Sequence, residues 1–153
     1  MNAKISKSIL RTNNQNGLIM TTSKKRVLIV DDEPSFTRLL KLNFNHTGRY
    51  AAEVVNDPAQ AVQAAEHFLP DVILLDVMMP GMDGGDVANR IHAIPKFRDV
   101  PILFLTAAIS RKEIADHAGL CGGMRFMAKP IEFQDVLQHV EEECNARKSE
   151  ALI

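Results

Sequence analysis

Apolar residues follow two different periods along this chain. Three runs are continuously apolar and end on a polar residue: Arg26-Val-Leu-Ile-Val-Asp31, Asp71-Val-Ile-Leu-Leu-Asp76 and Val100-Pro-Ile-Leu-Phe-Leu-Thr106. Such runs read as strands buried on both faces of a parallel sheet, since a half-exposed strand would alternate. Ala51-Ala-Glu-Val-Val55 carries a charge midway and Met124-Arg-Phe-Met127 is short, so both are expected at sheet edges.

Between the runs, apolar residues recur at helical spacing behind recognisable start signals. Pro34 suits the first position of a helix with Phe36, Leu39, Leu40 and Phe44 on one face. Asp57 is expected to cap a helix bearing Val62, Ala65 and Leu69, with Gln60 reaching back to complete the box. Asp83 caps a helix with Val87 and Ile91, and Ser110-Arg-Lys-Glu113 forms a capping box for a short fourth helix. Phe133, Val136, Leu137, Val140 and Cys144 draw one apolar stripe along a fifth, which makes Cys144 a core thiol. Five strands alternating with five helices predict an α/β doubly wound domain with right-handed crossovers. In such a sheet the ligand crevice lies outside the carboxyl ends of the strands.

The length of 153 residues suits one core, and 46% hydrophobic with 24% charged residues is the composition of a globular protein. Net charge is −1 and excludes no partner, but Lys4, Lys7, Arg11, Lys24, Lys25 and Arg26 all precede the first acid, Asp31. Residues 1–24 are therefore expected to be a basic, disordered arm, because Asn13-Asn14-Gln15-Asn16-Gly17 offers nothing to bury. Met20 is a second candidate start, and a start there would remove most of the arm. Residues 25–147 form the expected domain and 148–153 a tail too short for a DNA-binding or enzymatic output. No secretory h-region or membrane-spanning stretch is evident. Cys121 and Cys144 form no Cys-x-x-Cys pair, and His117 near Cys121 lacks the further ligands of a metal site, so a reducing cytoplasm fits.

Chemistry gathers at the predicted strand ends. Asp31 and Asp32 close the first strand, Asp76 the third, Thr106 the fourth and Lys129 the fifth. Each alone has an ordinary reading as a turn residue or an exposed lysine; their convergence on one crevice carries the inference. Crowded carboxylates repel one another unless a cation neutralises them, and oxygen donors without His or Cys favour a hard ion such as Mg2+. A mononucleotide or dinucleotide site fails, because Asp-Asp-Glu-Pro at the first strand-to-helix turn repels free phosphate and the eight glycines never take the required spacing. Asp31-Asp32-Glu33 also lacks the Asp-x-Asp of haloacid-dehalogenase phosphatases.

Val-Asp31-Asp32-Glu33-Pro34, Leu-Asp76-Val-Met-Met-Pro80-Gly-Met-Asp83-Gly84, Thr106-Ala107 and Lys129-Pro130 together resemble the signature of bacterial response-regulator receivers of the single-domain, CheY-like kind. The resemblance covers residues from about Arg26 to Arg147. It implies a flavodoxin-like sheet of order 2-1-3-4-5. It makes Asp76 the acceptor of a phosphoryl group from a sensor histidine kinase, the chain catalysing only its own phosphorylation and dephosphorylation. Mg2+, replaceable by Mn2+, is implied on Asp32, Asp76 and the Met78 backbone carbonyl, with Asp31 acting through metal-bound water. Lys129 then pairs with the carboxylate and afterwards with a phosphoryl oxygen, Thr106 senses the modification, and Phe126 is the aromatic that rotates in response. Pro80, Gly81 and Gly84 are read as loop-shaping, and Pro130 as following a cis peptide.

Met78 and Ala108 cannot orient an attacking water, which predicts slow loss of the phosphoryl group. The output is expected to be a separate protein, either a target of the modified surface or a histidine phosphotransfer protein in a relay. The reading from another class is a pseudo-receiver scaffold that binds without phosphorylation.

Overall fold

The computed structural model describes residues 8–13, 17–107, 120–121 and 124–150, with side chains at 23–107 and 124–147. Strands β1 (Ser8–Asn13) and β2 (Gly17–Thr22) pair antiparallel in a sheet of their own. The main sheet contains β3 (Lys25–Val30), β4 (Tyr50–Val55), β5 (Val72–Asp76), β6 (Ile102–Thr106), β7 (Leu120–Cys121) and β8 (Met124–Ala128), in the order β4-β3-β5-β6-β8-β7. The five long strands are parallel, and β7 joins antiparallel to β8. The helices are α1 (Pro34–His46), α2 (Ala61–Phe68), α3 (Gly84–His92) and α4 (Phe133–Glu150). The helix expected at Ser110–Glu113 lies outside the described residues, as do Ala108 and His117.

Strand periodicity separates the core into two layers. Leu28, Val30, Ile73, Leu75 and Phe104 point to one face, where Ala61, Ala65, Val87 and Ile91 of α2 and α3 cover them. Val27, Ile29, Leu74, Leu103 and Leu105 point to the other, under Leu40 and Phe44 of α1 and Val136 and Val140 of α4. Successive side chains of a strand face opposite ways, so a strand covered on both sides must be apolar throughout. Each such Leu, Ile or Val contributes about 1.5–3 kcal/mol by leaving water. Among the described residues, no helix is long and apolar enough to cross a membrane.

Several local expectations are corrected. Leu39 is 58% exposed, and α1 buries Thr37, Leu40 and Phe44 instead, because Leu39 lies on the flank of the helix away from that arc. Leu69 is not a core residue of α2; it takes the left-handed C-cap conformation at φ 55° and is exposed, while Phe68 packs on the core. Asp57 does cap, accepting from the Ala59 N–H, but the cap opens a 3-10 turn at Pro58–Gln60, and Gln60 makes no side-chain cap bond to α2. Strand β8 is not an edge, since β7 pairs outside it. Helix α4 continues past Arg147 to Glu150.

Candidate functional site

Loops leaving β3, β5, β6 and β8 bring the predicted polar residues to one end of the sheet. Asp31 is fully buried just beyond β3, and its Oδ1 accepts from the Glu33 N–H at 2.9 Å, fixing the carboxylate at the turn into α1. Asn56 holds the same turn from the far side: its Nδ2 donates to the Asp31 carbonyl at 2.8 Å and to Thr37 Oγ1 at 2.9 Å. Asp32 is half-buried beside it. Asp76 ends β5, and its Oδ1 accepts from the Met78 N–H at 3.4 Å. Carboxylate oxygens of Asp31, Asp32 and Asp76 all lie within 4.8 Å of one another.

Lys129 enters from the opposite wall. Its Nζ donates to Asp31 Oδ2 at 2.5 Å and lies 3.6 Å from Asp76 Oδ2 and from Glu33 Oε1. The backbone leading to it is tied to the neighbouring strand by Lys129 N–H to the Thr106 carbonyl at 2.9 Å, and the Lys129–Pro130 peptide is cis. Thr106 is fully buried at the end of β6, opposite Ala128. One ammonium thus faces several carboxylates. Burial, then the Asp31 charge, push the Asp76 carboxyl above the usual carboxylate range against the opposing pull of Lys129 and the Met78 N–H. Burial would lower the Lys129 ammonium, but its Asp31 hydrogen bond and the surrounding carboxylates hold it above the ordinary lysine value.

The loop from Asp76 to Gly84 leads from the end of β5 into α3. Gly84 donates to the Val77 carbonyl at 2.8 Å, Gly81 adopts φ +83°, and Asp83 Oδ1 accepts from the Gly85 N–H at 2.5 Å to cap α3. Pro80 is exposed on the same loop, and Met78 is 67% exposed at the mouth of the crevice. Phe126 stacks on Phe104 with ring centroids 4.8 Å apart and 17° between planes, half-buried against the core layer of α2 and α3.

Two contributors escaped the sequence pattern. Phe36, read only as an apolar position of α1, places its ring centroid 4.4 Å from Lys129 Nζ. Asn56, directly after the edge strand β4, belongs to no periodic pattern of the sequence, yet it ties the Asp31 turn to Thr37.

Three carboxylates, a buried threonine and a lysine thus meet at the carboxyl ends of the strands of a doubly wound α/β sheet. The chain belongs to the response regulator receiver domain family, whose model matches residues 27–141. It is 35% identical over 114 residues to the transcriptional regulatory protein TrcR of Mycobacterium tuberculosis, covering 73% of this chain and 42% of TrcR. Over 108 residues it is 38% identical to the response regulator PleD of Caulobacter vibrioides, covering 70% of this chain and 23% of PleD. The chain therefore spans half or less of the length of these relatives. A CheY-like receiver structure from Methanospirillum hungatei superposes with a TM-score of 0.71 at 22% identity, over 84% of this chain and 99% of that one, which establishes the shared fold.

Proposed function

We propose that this receiver is a phosphoacceptor switch of a two-component system, modified on Asp76 by a sensor histidine kinase and read out through protein–protein contacts. The observation that carries the reading is Asp76 itself, buried at a strand end, within 3.6 Å of the Lys129 ammonium and crowded by Asp31 and Asp32. A carboxylate oxygen of Asp76 attacks the phosphorus of a phosphohistidine. The new C–O–P linkage forms as the P–N bond breaks, and its electron pair leaves on the imidazole nitrogen. Lys129 counters charge that gathers on the phosphoryl oxygens in a loose transition state.

The donor set fits a divalent metal: hard oxygen atoms from three carboxylates close together, with one ammonium against them. Asp32, Asp76 and the Met78 backbone carbonyl would hold it, with Asp31 supporting through water; Mg2+ or the similarly hard Mn2+ suits the site. When bound, the ion supplies positive charge that offsets repulsion between the carboxylates and an incoming phosphoryl group. Thr106, buried at the end of β6, would donate its hydroxyl to the modified Asp76, and Phe126, opposite Phe104 on β8, is the aromatic whose packing would respond. A cytoplasmic setting and an output or histidine phosphotransfer partner belong to this reading.

Intact mass after treatment with acetyl phosphate and Mg2+ tests it. The expected result is a gain of one phosphoryl group in the native chain and none in Asp76→Asn. No gain in the native chain would favour the scaffold role and overturn the switch.

A further inference from the structure

The Lys129 ammonium faces three carboxylates and one aromatic ring. Asp31 Oδ2 stands at 2.5 Å, and Asp76 Oδ2 and Glu33 Oε1 at 3.6 Å. Beyond them the ring of Phe36, on the first turn of α1, presents its centroid 4.4 Å from Nζ. That distance falls within the range where an ammonium is attracted to the negative face of an aromatic ring. Phe36 is itself half-buried and packed against the core layer formed with α1 and α4, so the ring has a fixed backing. Only 12% of the Lys129 side chain is exposed, and an ammonium shielded this far from water gains more from a ring than an exposed one does.

The carboxylate neighbours and the ring differ in one respect that matters for phosphoryl transfer. Asp31 and Asp76 belong to the same acidic cluster that would hold a divalent ion, so a bound cation competes with Lys129 for them and repels its charge. A ring face is a poor ligand for a hard ion and remains available to the ammonium throughout. We propose that Phe36 is a positioning residue of the phosphoacceptor site, holding the Lys129 ammonium over its ring within reach of Asp76 while the carboxylates are engaged elsewhere. The inference rests on the proposed function of Asp76. Phe36 touches no reacting atom; it acts through Lys129.

Three substitutions in the full chain separate this role from packing. Phe36→Leu keeps an apolar side chain and removes the ring; Phe36→Tyr restores a ring; trifluorophenylalanine at position 36 keeps the ring's shape and drains its face of negative charge. Two readouts are followed: the Mg2+-dependent rate of modification by acetyl phosphate, and the NMR proton shifts of the Lys129 ε-methylene group, which an overlying ring moves upfield. Phe36→Leu and the trifluoro variant are each expected to slow modification about five- to tenfold, the value of one partly buried ring–ammonium contact. Phe36→Tyr is expected to recover most of the native rate. The ε-methylene protons should lose their upfield shift in Phe36→Leu and keep it in Phe36→Tyr.

A trifluoro variant that reacts at the native rate while Phe36→Leu is slow would leave Phe36 a packing residue and overturn the proposal. So would ε-methylene shifts identical in the native chain and Phe36→Leu. A native chain that accepts no phosphoryl group overturns the proposed function instead, and the ε-methylene shifts still decide whether Phe36 holds the ammonium.

Discussion

A Cβ atom on Gly84 would overlap the backbone carbonyl oxygen of Asp76 and come within 2.9 Å of the Val77 Cα. The start of α3 therefore rests directly against the peptide of Asp76, the proposed acceptor, and the Gly84 N–H donates to the Val77 carbonyl at 2.8 Å. Both atoms in the way are backbone, so neither can swing aside. Gly84→Ala is expected to destabilise the fold by about 2–3 kcal/mol, measured by chemical denaturation, and to slow modification of Asp76 by displacing it. An unchanged midpoint and rate would show that the loop yields freely.

Charge crowding around Asp76 leads to a second expectation. Replacing Asp76 with Asn removes one of the carboxylates that face each other and leaves the Lys129–Asp31 pair intact. In chelator, Asp76→Asn should melt about 2–5 °C above the native chain, as relief of buried repulsion on the order of 1 kcal/mol would give. Added Mg2+ should raise the native melting temperature and barely move that of the variant. Thermal scans with and without the ion check both halves.

Tyr50 is the only tyrosine, so its ionisation can be followed alone by near-ultraviolet absorbance. Burial first, then the nearby Cys144 and Glu141, push its phenol up to about 12, with Arg49 opposing. A phenol raised on folding adds stability that is fully present below its unfolded value and is lost as pH rises through the folded one. The titration midpoint is expected near 12 in the native chain and about 10 in denaturant. Coincident midpoints would mean that the ring is not protected.

Met78 is exposed at the crevice mouth and carries no group able to direct water. If the aspartyl phosphate persists for that reason, Met78→Asn should shorten its lifetime roughly three- to tenfold by orienting a nucleophile. Loss of label from purified phosphoprotein, followed over time in excess chelator-free buffer, reads the rate directly.

The hairpin of β1 and β2 forms a sheet apart from the main one, and isolated two-stranded sheets are marginal in water. We propose that residues 1–24 are an arm dispensable to the domain at 25–147. A chain beginning at Ser23 should unfold within about 0.5 kcal/mol of the native one. A larger loss would assign the arm a place in the fold.

The sequence announced the parallel strands and the strand-end acids clearly because burial on both faces and chemistry at one edge each leave a local mark. Val27 to Val30 are apolar up to Asp31, where the crevice begins, as are Val72 to Leu75 before Asp76 and Ile102 to Leu105 before Thr106. Features that depend on orientation were less legible. Leu39 and Leu40 are adjacent and equally apolar, yet only Leu40 faces the sheet, and the choice is made by how α1 is rotated against β3 and β4. Phe36 near Lys129 joins residues far apart in sequence, and no periodicity of either segment encodes the meeting. The two-residue β7 is too short to carry a pattern at all.

The ion pair between Lys129 and Asp31 joins positions 98 apart in the chain. Asp31, Asp32 and Asp76 all emerge early in synthesis, well before the strand that delivers their lysine. A nascent chain folded only through β6 would hold the acids without the ammonium that steadies them. The crevice is therefore complete only once β8 has docked beside β6 and brought Lys129 to Asp31.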